Sequence, residues 1–255
     1  MWFLLPMGAA MQLSAVTSHL SQDIAAIPLL WVLPLATYLV TFILAFEMPG
    51  LYRRGLVARL LVVMLASLGY ALSHVDARLP VGWAVLFYLV EIFVACWFCH
   101  AEVYRLRPSG ARQSTVFYLL VAAGGVAGTF FVGIVCPLIF RANYDLAIAF
   151  LVTAALAAVV MGNDGWAQRG LWTVVSVGLL ALVVALHFEF ARHALVRARN
   201  FYGSLRVTEA ERDDQSGDGG SDATGPVRVL MNGRIRHGMQ MMDADRRQVP
   251  TTYYG

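Results

Sequence analysis

The amino-acid sequence predicts a mainly α fold: a polytopic bundle of about six to seven transmembrane helices, followed by a small antiparallel β-hairpin region. Three observations carry that expectation. Of 255 residues, 59% are hydrophobic and only 14% charged, whereas soluble domains average about a quarter charged residues. The apolar residues gather in runs of near-membrane length. From Gly203 onward the pattern changes to the alternation of half-buried strands.

A hydrocarbon core takes about 20 apolar residues per helix, with a range of roughly 17–25. Seven stretches qualify as candidates: Trp2–Val16, Ile24–Phe46, Leu56–Leu72, Val81–Cys99, Val116–Phe140, Leu146–Met161 and Leu171–Phe190. The first and sixth are short. Helix is the expected form because an unpaired backbone group in lipid costs several kcal/mol. Pro28 and Pro34 are expected to kink the second stretch. "AAGGVAG", Ala122 to Gly128, gives the fifth a small-residue face for close helix packing. No basic segment precedes the first apolar run, so it does not read as a cleavable signal peptide.

The loops after the second, fourth and sixth stretches carry Arg53, Arg54, Arg59, Arg105, Arg107, Arg112 and Arg169, and the intervening loops only Arg78 and Arg141. This asymmetry marks the arginine-rich side as cytoplasmic. An odd number of crossings would put Arg192, Arg197 and Arg199 on the other face. One stretch between Val116 and Phe190 is therefore expected either to be re-entrant or to have misplaced bounds.

Residues 1–194 thus form the transmembrane domain, and 195–255 begin a second region. There "SLRVTE" and "VRVLM" alternate as strands, separated by the acidic, Gly- and Ser-rich stretch 210–226, which reads as a flexible loop. Asn232-Gly233 then joins "VRVLM" to "RIRHGMQMM" as a tight hairpin. About three antiparallel strands are expected, a sheet that is marginal unless it packs on something more.

The chemistry-bearing residues are few. All nineteen basic residues are arginine, which excludes lysine-dependent P-loop and Schiff-base chemistry. A net charge of +3 gives no reason to expect nucleic acid as a partner. Cys96, Cys99 and Cys136 lie in or beside apolar runs and do not read as a disulfide framework. "CWFCH", Cys96 to His100, has the spacing of covalent haem attachment, but the arginine-rich loop after it implies the cytoplasmic side, where that attachment is not expected; buried thiols at a helix end are the simpler reading. Glu91 lies inside the fourth stretch, where an ionisable group costs about 2.5–3.5 kcal/mol on insertion scales, so it is expected to face the bundle and find a partner. His100 and Glu102 follow two to three turns later, near the interface. His19 and Asp23, four apart, share a helical face if that stretch is helical, although two ligands do not make a metal site.

Several stretches together resemble one family, the bacterial membrane-fused spermidine synthase-like proteins. They are "TSHLSQDIAAIPLLWVLPLATYLVTFILAF", "CHAEVYRLRP" followed by "FYLLVAAGGVAGTFFVGIVCPLIF", then "RNFYGSLRV" and "HGMQMMDADRRQVPTTYYG". The resemblance implies a multi-span domain in the bacterial inner membrane with a cytoplasmic tail. It also implies that "RNFYG" opens the β-rich part of an aminopropyltransferase-like domain. A Gly-rich loop for an S-adenosylmethionine-type cofactor is expected beyond "YYG", so the chain reads as a portion of such a protein, not catalytic by itself. Decarboxylated S-adenosylmethionine is expected only where a separate or downstream aminopropyltransferase-like domain is present. Gln240 and Tyr254 are the positions implied to line a polyamine pocket, although "HG" stands where the soluble enzymes have "DG". The rival reading is a membrane carrier or channel for polyamines or other small molecules, with Glu91, His19, Asp23, His100 and Glu102 as its polar candidates.

Overall fold

The computed structural model of the protein describes residues 1–24, 28–73, 80–191, 194–200, 203–212, 225–233, 235–245 and 247–248. The fold is mainly helical with a small antiparallel sheet. Two compact units are present: Met1–Cys136 with Tyr144–Leu186, and Pro137–Asn143 with His187–Gly255.

Each of the seven apolar stretches contains a helix. These are α1 (Leu4–His19), continuing into a π-helical turn Leu20–Ile24; α2 (Val32–Glu47); α3 (Arg54–Ser73); α4 (Val81–Arg105); α5 (Ala111–Phe130); α7 (Asp145–Met161) and α8 (Trp166–Ala191). Between α5 and α7, a π-helical turn Phe131–Val135 leads into the short α6 (Cys136–Ile139). Pro137 explains that turn. It donates no N–H and its ring crowds the carbonyl one turn back, which a widened turn accommodates.

Among the described residues, three helices are long and apolar enough to cross a membrane: Val81–Arg105, Arg112–Ile139 and Trp166–Phe188. That is fewer than the six to seven expected. The reason is length and composition. Helices α2 and α7 have 16 and 17 residues, about 24–26 Å at 1.5 Å per residue, short of a hydrocarbon core of about 30 Å. Helix α1 has 16 residues interrupted by Gln12, Ser14 and Thr17, and the side chains in the last turns of α3 lie partly outside the described residues. The expected proline kink is also corrected. Pro28 lies ahead of α2 and Pro34 in its first turn, where a missing N–H costs nothing; the chain breaks there instead, with Leu29 at a φ of 63°.

Helix α1, short as it is, occupies the centre and packs against α2, α4, α5 and α7. Gly124 and Gly128 bring α5 onto it. A Cβ on Gly124 would collide with the Phe3 carbonyl, and one on Gly128 with the Met7 carbonyl and, at 3.1 Å, the Ala10 Cβ. A side chain on the intervening Gly125 would meet nothing. The small-residue face expected from "AAGGVAG" is thus the α1–α5 contact itself. Gln12, fully buried on α1, donates to Thr153 Oγ1 of α7 at 2.8 Å and to the Ala149 carbonyl at 3.3 Å.

The second unit holds a four-stranded antiparallel meander, β1 (Ala194–Asn200), β2 (Gly203–Arg212), β3 (Gly225–Asn232) and β4 (Ile235–Met241), in that spatial order. One strand more than the expected three is present. Strand β1 is the addition, and Arg197 and Arg199 mask its alternation in the sequence. Asn232 pairs with Ile235, so the β3–β4 loop begins at Gly233, whose φ of 57° suits glycine; the turn is shifted one residue from Asn232-Gly233. The ladder slips between Leu230 and Met231, leaving His237 as an extra bulge residue on β4.

Candidate functional site

Helix α4 presents a long buried stripe that includes Tyr88, Glu91, Ile92, Ala95, Cys96, Cys99, His100, Glu102 and Val103, and that widens over its second half to take in Val94, Phe98 and Ala101. Such a stripe follows from helical periodicity, yet it includes two carboxylates and an imidazole. The structure separates them. Glu91 lies mid-helix, His100 faces α2, and Glu102 closes the last turn.

Glu102 anchors the densest polar cluster. Its Oε1 accepts from the Tyr52 hydroxyl at 2.8 Å, from Arg54 Nε at 2.9 Å and from Arg105 Nη1 at 3.1 Å; Oε2 accepts from Arg105 Nη1, also at 3.1 Å. Arg54 uses its remaining nitrogens on the Asp164 carboxylate and, at 3.0 Å, on the Val160 carbonyl. One guanidinium therefore joins the start of α3 to the ends of α4 and α7. Burial, and then the adjacent Glu102 charge and hydrogen bond, push the Tyr52 phenol above its ordinary value near 10. It stays a donor throughout the physiological range.

Above this cluster lies a cleft of about 530 Å³, lined by Ala45, Pro49, Tyr52, Arg54, Ala101, Tyr104, Arg105 and Arg107. The Arg107 guanidinium lies over the Tyr104 ring, 4.2 Å from its centre. Trp2 Nε1 donates to the Leu106 carbonyl at 2.7 Å, bringing the start of α1 to the same end.

The other sequence candidates lie elsewhere. Glu91 is fully buried, and neither carboxylate oxygen has a hydrogen-bond partner among the described residues; it faces the bundle as expected but finds no partner there. His100 Nδ1 lies 3.1 Å from Thr41 Oγ1, and its ring packs edge-on against Tyr38 and Phe42. His19 ends α1 with its ring 4.8 Å from that of Tyr88. Asp23 falls in the π-helical turn, so the stretch is helical, but its side chain lies outside the described residues, as does Tyr254. Gln240 is exposed on β4, opposite Arg228, with Nε2 3.5 Å from the Arg247 carbonyl. The thiols of "CWFCH" are both fully buried, and Cys96 donates to the Ala9 carbonyl at 3.5 Å.

Sequence reasoning missed Tyr52, Arg54, Arg105 and Asp164 as a group, because the arginines were read only as markers of sidedness. A signal existed. Glu102 continues the apolar stripe of α4, and a carboxylate placed there needs a basic partner. Comparison with protein-family models, with curated proteins and with solved structures found no match to this chain.

Proposed function

We propose that these residues form the helical, membrane-embedded part of a spermidine synthase-like protein of the bacterial inner membrane, together with the leading sheet of its aminopropyltransferase-like region. The observation that supports the reading is the antiparallel meander, whose second strand starts at Gly203 of "RNFYGSLRV", where the resemblance implies a β-rich region. A lipid setting is supported by what the helices leave uncovered. Only 11% of the apolar window of Trp166–Phe188 is buried, and Val174, Val177, Leu119 and Val126 are 60–71% exposed. Water disfavours such a surface; hydrocarbon does not. In this reading the seven apolar stretches lie in the bilayer, the short ones accommodated by local thinning and one between Val116 and Phe190 re-entrant, and the arginine end faces the cytoplasm.

The S-adenosylmethionine-type cofactor is then held by a separate or downstream aminopropyltransferase-like domain, and Gln240 and Tyr254 belong to the polyamine side of that pocket. Calorimetric titration of this chain in nanodiscs with decarboxylated S-adenosylmethionine is expected to show no binding; micromolar binding overturns the assignment.

A second reading, a carrier for polyamines or other small cations, is favoured by Glu91 alone. A buried carboxylate with no donor among the described residues is costly in hydrocarbon and suits a group that meets a cation in transit. Glu91→Gln should abolish spermidine uptake into proteoliposomes, and unchanged uptake removes this reading.

A further inference from the structure

The cleft at the arginine end is built for an anion. Three guanidinium groups, Arg54, Arg105 and Arg107, line it, and among the described residues no carboxylate does. Glu102 lies beneath it, with a side chain only 3% exposed, and fixes two of the three by ion pairs at 2.9 and 3.1 Å. Arg107 has no carboxylate partner among the described residues, and its guanidinium rests on the Tyr104 ring. Counting Glu102 and Asp164 against the three arginines leaves one positive charge. The Tyr52 hydroxyl is committed to Glu102, so the donors facing the cleft are the free N–H groups of Arg105 and Arg107. Their planar, multi-donor geometry matches phosphate oxygens better than a point charge would.

The dimensions and surroundings narrow the ligand. A volume of about 530 Å³ lies within the usual range for small-molecule sites, roughly 300–1,000 Å³, ample for a phosphate ester with its glycerol. Close by in sequence, Met48, Leu51 and Leu106 are exposed by 52%, 54% and 43%, apolar groups near the cleft at a helix-end boundary. Basic pockets between helices at the cytoplasmic interface commonly take lipid headgroups.

We propose that this cleft binds a phosphate ester through Arg105 and Arg107, with Glu102 and Tyr52 holding the site in shape. Two sources share that chemistry, an anionic phospholipid headgroup and a soluble phosphate ester. The proposal is independent of the spermidine synthase-like reading.

Native mass spectrometry of the detergent-solubilised full chain tests it, with phosphatidylglycerol, phosphatidylcholine and glycerol 3-phosphate as probes. Arg107→Gln removes a rim group with no ion pair and should leave the fold intact. It is expected to weaken phosphatidylglycerol or glycerol 3-phosphate binding about tenfold, the loss of one charge-assisted hydrogen bond. Arg112→Gln, the same charge change at an exposed position outside the cleft, should change binding less than about twofold. Phosphatidylglycerol binding that glycerol 3-phosphate does not displace identifies the lipid; displacement identifies the soluble ester; either supports the site. Equal losses in the two variants, or no preference for phosphatidylglycerol over phosphatidylcholine together with no glycerol 3-phosphate binding, overturn it.

Discussion

Replacing Arg54 with methionine keeps an unbranched apolar stem and removes every donor. Glu102, almost wholly buried, would lose one of three donors, which costs about 1.5 kcal/mol, the low end for a charged hydrogen bond because Tyr52 and Arg105 remain. The Val160 carbonyl would lose a part-buried guanidinium partner, about 1 kcal/mol more. Asp164, with a side chain 35% exposed, regains water, so its loss is about 0.5 kcal/mol. The expected destabilisation is about 3 kcal/mol. Arg105→Met supplies the comparison: its side chain is 49% exposed and sits three residues from Glu102 on the same helix, so about 0.5 kcal/mol is expected. Equilibrium unfolding in mixed micelles with increasing dodecyl sulfate measures both. Adding Glu102→Gln to Arg54→Met should recover part of the loss by removing the under-compensated charge. The reasoning is refuted if Arg54→Met costs no more than Arg105→Met, or if the double variant is additive.

Gly128→Leu forces α5 off α1 and should cost at least about 2 kcal/mol, whereas Gly125→Leu, which meets nothing, should stay within about 0.5 kcal/mol; the same micelle titration separates them. Tyr52→Phe should cost about 1–2 kcal/mol at neutral pH, since Glu102 loses a donor. Because the folded phenol titrates above the unfolded value near 10, that stabilisation is fully present below pH 10 and fades as pH rises beyond it toward the folded value. The gap between wild type and Tyr52→Phe should therefore be flat from neutral pH to about pH 10 and narrow above it; a gap that widens there contradicts the placement of Tyr52.

The positions of the longer helices α1–α5, α7 and α8 were legible because a long apolar run has few alternatives to helix. Gly124 and Gly128 announced their own contact by spacing. Membrane length was not so legible: Ile24–Phe46 reads as one run, but with Pro28 ahead of it the helix starts only at Val32, and a proline's effect depends on whether it falls inside a helix or ahead of it. Strand β1 was hidden by its arginines, which serve a sheet face as well as a membrane boundary. The Arg54–Glu102–Tyr52 cluster joins residues about fifty positions apart, and no local pattern reports a pairing of that range. What could be read was the need: a carboxylate on a buried stripe.

The central claim is that the outward faces of α5 and α8 meet hydrocarbon. Spin labels at Leu119, Val126 and Val177, introduced one at a time into a cysteine-free background and reconstituted in vesicles, test it by accessibility to oxygen and to a water-soluble nickel chelate. High oxygen and low nickel accessibility at all three positions is the predicted result. High nickel accessibility there would mean that these apolar faces stand in water, and the membrane assignment would be wrong.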